Sequence, residues 1–298
     1  MENYKCKSVG IIGSGIQGVC TGFQLIKKGI PVTIFDRQDP LSQDFKPASY
    51  GNAGHFSPYA VLQLNRPDIL FDVPKMLFSS YGPLALKWNY VPKMLKWFFY
   101  YLKNCNKKSM MHTAKNMHQI LSLSNDAYEE IFQEIDTNGL IEKKGIIYVW
   151  TNKNLKSRNL EIKVRDELGI KQKLLSQKEV LELEPNLNPV FDAGIIYESA
   201  MHARDPHGIL KQIFKLFLKR GGKFIQTNIK SVEQSKNDET IIRSENEEYK
   251  FEKSVVASGA FSKKFTDQLG EKIPLDTERG YHVHFKGQEK LISRPVIF

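Results

Sequence analysis

The sequence has little cysteine, no long apolar run and no internal repeat, and each shortage removes a class of protein. Cys6, Cys20 and Cys105 are its three thiols in 298 residues. They form no C-x-x-C pair and no even set, so neither a disulfide scaffold nor a zinc cage is expected, and a reducing cytoplasm fits best. No stretch of about 18 apolar residues is present, which argues against an integral membrane protein. The N-terminus has only a few polar residues before an apolar strand. It lacks the apolar region and small-residue cleavage site of a secretory signal, so export is not expected. What remains is ordinary: 41% hydrophobic and 26% charged residues suit a soluble globular chain, long enough to bury a core in one large domain or two interleaved lobes. The excess of 43 Lys+Arg over 33 Asp+Glu is compatible with nucleic acid, an anionic membrane surface or a merely lysine-rich composition. No nucleic-acid-binding motif accompanies it, so a nucleic-acid partner is not expected.

Strand and helix patterns alternate along the chain. Residues 8–12 form an apolar strand, 15–28 a helix and 31–35 a second apolar strand, a βαβ unit whose strands are continuous apolar runs, as a parallel sheet covered on both faces requires. Residues 38–59 are rich in Ser, Gly, Asn and Pro and read as a long ordered loop. Residues 67–139 are helical. Strands are expected at 145–151, 194–198, 223–229, 239–243, 254–257 and 279–285, and helices at 154–168, 177–183, 207–219 and 261–269. Asp205 can cap the helix that follows it, with Pro206 at its first position.

The run VGIIGSGIQG sets Gly13, Gly15 and Gly18 in G-x-G-x-x-G spacing between a strand and a helix. The first glycine permits the tight turn, the second lets backbone approach a pyrophosphate, and the third lets helix and strand pack closely. The helix N-terminus, with Ser14, Ile16 and Gln17 in the turn, adds N–H groups and a positive dipole end. The spacing alone is weak. It gains weight from the flanking strand and helix and from Asp36, about 20 residues on at the end of the second strand, where a carboxylate hydrogen-bonds an adenosine ribose.

Asp36-Arg37 followed by SYGNAGHFSPY resembles the flavin-facing loop of the amine-oxidising flavoenzyme superfamily that includes D-amino-acid oxidase, glycine oxidase and sarcosine oxidase, most closely its D-amino-acid dehydrogenase small-subunit branch. The blocks LELEPNL, MHARDPHGILKQIF, SVVASGAFS and PLDTERGYHVHF extend the resemblance over nearly the whole chain. It implies FAD as cofactor and an α/β fold: a Rossmann-like FAD-binding lobe (1–60 and 201–278) interrupted by an α+β substrate lobe (61–200), with 279–298 beginning the substrate-lobe sheet. It further implies that Asn52, Ala53 and Gly54 run along the isoalloxazine and that Ser258-Gly259 approaches the cofactor.

The implied activity is oxidative deamination of small amino acids, D-amino acids above all, with hydride transfer from the α-carbon to flavin N5. An oxygen-using glycine or sarcosine oxidase is the rival enzyme, and an inactive flavin-binding remnant or assembly subunit the rival of another class. Arg279 and Tyr281 are candidates for holding the substrate carboxylate, since arginine can do so with two parallel hydrogen bonds. His55, His202, His207, His282 and His284 have neither the spacing nor the acidic partners of a metal motif, so no metal is expected. Family members continue beyond the crossing strand, whereas this chain ends at SRPVIF in what should be a strand, so a fragment, a truncated reading frame or a partner that supplies the rest is expected. The stretch 84–108 sets Trp88, Trp97, Phe98, Phe99, Tyr100 and Tyr101 among lysines, which fits either the core of a helical lobe or a peripheral contact with the inner face of the cell membrane, where a quinone-linked acceptor would take the electrons.

Overall fold

The computed structural model describes residues 6–63, 66–67, 73, 87–151, 155–235, 237–275, 277, 280–283, 285, 287 and 291–298, with the side chains of 155–157 left aside. The chain divides into two compact units. One gathers Met1–Gly54, Glu130–Ile141 and Ala203–Gly287; the other gathers His55–Glu129, Glu142–His202 and Gln288–Phe298.

The first unit is built on four parallel strands in the spatial order Lys253–Val256, Val9–Ile12, Val32–Asp36, Lys223–Gln226. Side chains alternate faces along each strand. Gly10, Ile12 and Phe35 look to one side, where Ile12 and Phe35 join Val232, Ile242 and Phe265 in a buried cluster. That side is covered by the antiparallel strands Ser231–Gln234, Thr240–Arg243 and Glu248–Phe251. Tyr249 and Phe251 bring their rings to 4.8 and 5.7 Å from that of Phe35. Ile34 looks to the other side, toward the helices Ile16–Lys27 and Pro206–Lys219, which pack on each other. The second of these buries Ile209, Leu210, Ile213, Phe214 and Phe217 along one face, the i, i+3, i+4 stripe of a helix seated on a sheet. It starts as the sequence suggests: the Asp205 carboxylate accepts from the Gly208 N–H at 2.9 Å, and Pro206 opens the first turn.

The second unit centres on a sheet in the order Val296–Ile297, Ile146–Trp150, Ala193–Tyr197, Lys173–Ser176. The outermost pair at the first edge is parallel and the rest antiparallel. Ile146, Trp150, Ile195 and Tyr197 pack on one face, and Ile147, Val149, Leu175 and Ile196 on the other. Helix Gln177–Leu183 closes the second face after a reciprocal Ser176–Glu179 capping box. Buried Glu184 then ties down the final segment, accepting from the Ser293 N–H at 2.7 Å, from the Ser293 hydroxyl and from Arg294 Nε at 3.0 Å. Within the expected helical stretch the described helices run Val91–Asn104, Lys107–Leu121 and Ser124–Phe132.

Two expectations need correction. The strand expected at 279–285 is absent among the described residues there, 280–283 and 285: none of them is in a strand, and Tyr281, Val283 and Phe285 are exposed. Its alternating pattern suits a pleat, but a strand exists only where another strand accepts it. Conversely, Lys173–Ser176, Ser231–Gln234 and Glu248–Phe251 are strands that the sequence reading missed, because they are only four residues long and each carries at least one charged residue.

Candidate functional site

The chemistry-bearing residues of the first unit collect at the carboxyl ends of its parallel strands, the place where doubly wound sheets bind ligands. Gly13 leaves the strand Val9–Ile12 with φ +111°, and a Cβ there would sit 2.5 Å from the Ala257 carbonyl oxygen, so only glycine makes this turn. A Cβ on Gly18 would lie 1.9 Å from the Gly13 oxygen, so the helix can approach the strand only without a side chain. Gly15 is different: a Cβ there would meet nothing within 4 Å. The three glycines thus serve a turn, an open cradle and a close packing contact, in the order that a dinucleotide pyrophosphate requires. Ile16, Gln17 and Gly18 form the first turn of the helix, whose leading N–H groups have no intrahelical acceptor and face that cradle.

Asp36 ends the neighbouring strand. Its Oδ2 accepts from both the backbone N–H and the hydroxyl of fully buried Ser14, each at 2.8 Å, and its Oδ1 accepts from the Gln38 N–H at 3.2 Å. A carboxylate offers about four lone-pair sites, so Oδ1 keeps one for a further donor. Arg37 lays its guanidinium over the Phe261 ring at 5.1 Å. Ser258 donates its hydroxyl to the Ile12 carbonyl at 2.9 Å and opens the Gly259–Phe261 turn beside the Gly13 loop. Nothing in the sequence signalled the Ser14–Asp36 bridge or the Arg37–Phe261 contact, because each joins elements distant in the chain.

The loop through Asn52, Ala53 and Gly54 is held by its own turn chemistry. Asn52 Oδ1 accepts from the Gly54 N–H at 2.9 Å. Gly54 adopts φ +68° and its carbonyl accepts from the Ala203 N–H at 2.7 Å; a Cβ on Gly54 would collide with the Ala203 oxygen. Of the two substrate-binding candidates, Arg279 lies outside the described residues, and Tyr281 is 86% exposed. Its neighbour His282 does pass close to the loop, 3.1 Å from where a Gly51 Cβ would stand. His55 and His202 pair across a short antiparallel ladder in the second unit, ring centroids 5.6 Å apart, and burial together with His202 holds His55 below the ordinary histidine value. His284 lies outside the described residues. Among the described residues no cluster of three His, Cys, Asp or Glu could hold a metal. Burial pushes the Cys20 thiol up to about 12, away from the thiolate form.

A family model described as FAD dependent oxidoreductase matches residues 8–297. The chain belongs to that family. Over 284 residues, 95% of this chain and 67% of the relative, it is 31% identical to a D-amino-acid oxidase of Bradyrhizobium diazoefficiens. It is 27% identical to a D-amino acid dehydrogenase of Vibrio atlanticus, over 91% of this chain and 65% of that protein. The chain therefore spans about two thirds of the length of these relatives. Among solved structures, glycine oxidase from Geobacillus kaustophilus is similar with TM-score 0.57 at 16% identity, over 88% of this chain and 58% of that one. L-α-glycerophosphate oxidase from Mycoplasma pneumoniae, solved with FAD bound, is similar with TM-score 0.60 at 15% identity, over 90% and 58%. At such identities the structural likeness speaks for the fold of FAD-dependent oxidoreductases alone. FAD is the family's cofactor, and the open cradle at Gly15 beside a ribose-ready carboxylate at Asp36 fits it.

The second unit carries a separate polar cluster. Glu161 is paired with Arg66, with Arg158 at 3.2 Å and with Arg165 at 3.1 Å. Burial pushes its carboxyl up, and the three guanidiniums more than reverse this and hold it below the usual range. Arg165 also donates to the Tyr59 carbonyl at 3.2 Å and sits 5.3 Å from the Tyr197 ring, which stacks on Tyr59 at 3.8 Å. The adjoining cavity, lined by Tyr148, Trp150, Arg158, Arg165 and Tyr197, has a volume of 10 Å³, room for about one water. This cluster holds the helix Leu155–Glu167 to the sheet.

Proposed function

We propose that this chain oxidises a small amino acid, a D-amino acid by preference, with FAD held along the strand ends of its first unit. The observation that carries the reading is the combination of Gly15, whose missing side chain leaves the cradle open, with Asp36, whose Oδ1 keeps a free acceptor site. Gly15 and the first helical turn would receive the pyrophosphate, Asp36 Oδ1 a ribose hydroxyl, and the Asn52–Gly54 and Ser258–Gly259 backbones the flavin side. Bound FAD supplies a two-electron sink for the α-hydrogen of the substrate, and the imino acid so formed hydrolyses in water. The chain's own part is mostly positioning: turns locked by Asn52 and Ser258 set the approach of the backbone, and Arg279 and Tyr281 are proposed to steer the substrate carboxylate.

Relatives named D-amino-acid oxidase and D-amino acid dehydrogenase support the substrate class; for the electron acceptor the two readings are oxygen and a membrane quinone. We favour the respiratory acceptor, with the protein working at the inner face of the membrane. The test is a visible spectrum of the purified protein followed by anaerobic addition of D- and then L-amino acids. Bleaching of bound flavin by the D-isomers supports the reading, and oxygen uptake against dye reduction assigns the acceptor. A flavin that persists unbleached with every amino acid tried would defeat it.

A further inference from the structure

We propose that His207 is the positioning residue of the loop that carries Asn52–Gly54: as a neutral imidazole it pins residues 40–51 to the helix Pro206–Lys219, and on protonation it releases them. All of these residues belong to the first unit. Between Pro40 and Gly54 the chain has one buried side chain, Phe45. A segment with a single apolar anchor has little of its own to hold it closed. At its far end the Gly54 carbonyl accepts from the Ala203 N–H at 2.7 Å. Four residues after Ala203, the His207 imidazole supplies the rest. It donates to the Pro40 carbonyl, stands 6.1 Å from the Phe45 ring, and meets the Tyr50 ring at 5.3 Å and a steep 72°. The turn Ala48–Gly51 packs on the same helix, closed by a bond from the Tyr50 N–H to the Pro47 carbonyl at 2.9 Å. Where Tyr50 is held therefore sets where the chain enters Asn52.

The imidazole is only 9% exposed, and its Nε2 is buried with no hydrogen-bond partner among the described residues. The bond to Pro40 therefore comes from Nδ1–H, and Nε2 carries a lone pair. A neutral ring tolerates that. An imidazolium is a donor at both nitrogens, so protonation would set a buried N–H and a charge where no acceptor stands. The charged neighbours on its own helix are Lys211, which opposes the cation, and Asp205, which favours it. From the loop come the Tyr50 phenol and Lys46, whose Nζ lies 6.0 Å from the Tyr50 ring. Burial and then Lys211 lower the His207 value, outweighing the Pro40 bond and Asp205, which raise it. Once released, the ring sits in water with a value of about 6.5. Pinning is thus at full strength above that value and is lost as pH falls from it toward the lower value of the pinned state. The inference rests on the FAD reading only for its consequence, that release of 40–51 unseats Asn52–Gly54 from the flavin.

The experiment is hydrogen exchange of the whole 298-residue chain, stripped of flavin and read on peptides covering 40–51, beside titration with FAD at the same series of pH values. Below about pH 6.5 the opening constant of the loop, taken from protection factors, should rise by up to about tenfold per pH unit, the slope of one proton. The FAD dissociation constant should climb with it. His207→Asn sets an amide N–H near the place of Nδ1 and cannot take a charge, so it should keep the loop closed at neutral pH and flatten both profiles. His207→Ala loses the Pro40 bond and both ring contacts; its loop should be open and its FAD binding weakened at every pH, with circular dichroism unchanged. Lys211→Gln removes the opposing charge and should make the acid rise shallower. An acid rise in His207→Asn equal to the parent's overturns the proposal, as does a protected loop in His207→Ala or a parent loop that does not open with acid. A loop that opens while FAD affinity stays level overturns the consequence for the flavin. Because exchange is read without cofactor, a chain that never binds FAD refutes the functional reading, and the exchange profiles still decide the pin.

Discussion

Valine at position 15 should separate the folding of the dinucleotide unit from its hold on FAD. Gly15 has φ −63° and ψ 174°, a conformation open to any L-residue, and a Cβ there would meet no atom of the protein within 4 Å. Its cost to the fold is that of a poor helix N-cap, about 1 kcal/mol, or at most a few degrees in Tm. The valine methyls would instead occupy the cradle outside the strand ends. An overpacking penalty of about 1–3 kcal/mol, borne entirely by the complex, weakens FAD binding about 5–150-fold. Gly18→Ala provides the contrast. Its Cβ would lie 1.9 Å from the Gly13 oxygen, a backbone atom that cannot swing aside, so this variant should lose about 1–3 kcal/mol of apo-protein stability together with FAD. The assay is thermal unfolding of flavin-stripped protein beside titration with FAD followed by fluorescence quenching. A Gly15→Val protein that binds FAD as tightly as the parent would refute the cradle assignment. One that melts as low as Gly18→Ala would show that the space at Gly15 is not open.

Asp36→Ala should raise the FAD dissociation constant about 10–100-fold, the worth of a hydrogen bond to a charged group; an unchanged titration would remove Asp36 from the ribose site. Glu184→Ala leaves the half-buried Arg294 guanidinium without its carboxylate and should cost about 3–5 kcal/mol, read as a lower Tm and faster proteolysis near residue 293, whereas a neutral effect would mean that the final strand is held by its ladder alone. His55, kept neutral by burial and by His202, contributes stability that is full above its unfolded value near about 6.5 and is lost as pH falls through the lowered folded value. His55→Asn should therefore flatten the acid-side decline in urea midpoint, and parallel curves for the two proteins would contradict this.

The βαβ opening was legible because its signals are local. Strand, turn, helix and carboxylate lie within one short stretch, and the role of each glycine follows from sterics that any helix meeting a strand must obey. The Asp205 cap was legible for the same reason. The three-stranded meander over Phe35 was not, since strands such as Ser231–Gln234 bury a single residue, Val232, and depend on cross-strand partners for the rest. The described residues 280–283 and 285 show the converse: an alternating pattern forms no strand there.

What the sequence by itself determined is the dinucleotide motif, the family and so the cofactor, because these rest on steric requirements within a few residues of one another. Only the tertiary structure decided that Ser14 engages two lone pairs of Asp36, that Glu184 clasps Ser293 and Arg294, and that the aromatic helix at 91–104 buries none of its residues fully. Each of these joins or exposes residues by long-range packing, and a periodic apolar pattern looks the same in sequence whether its face is covered by protein, by lipid or by nothing.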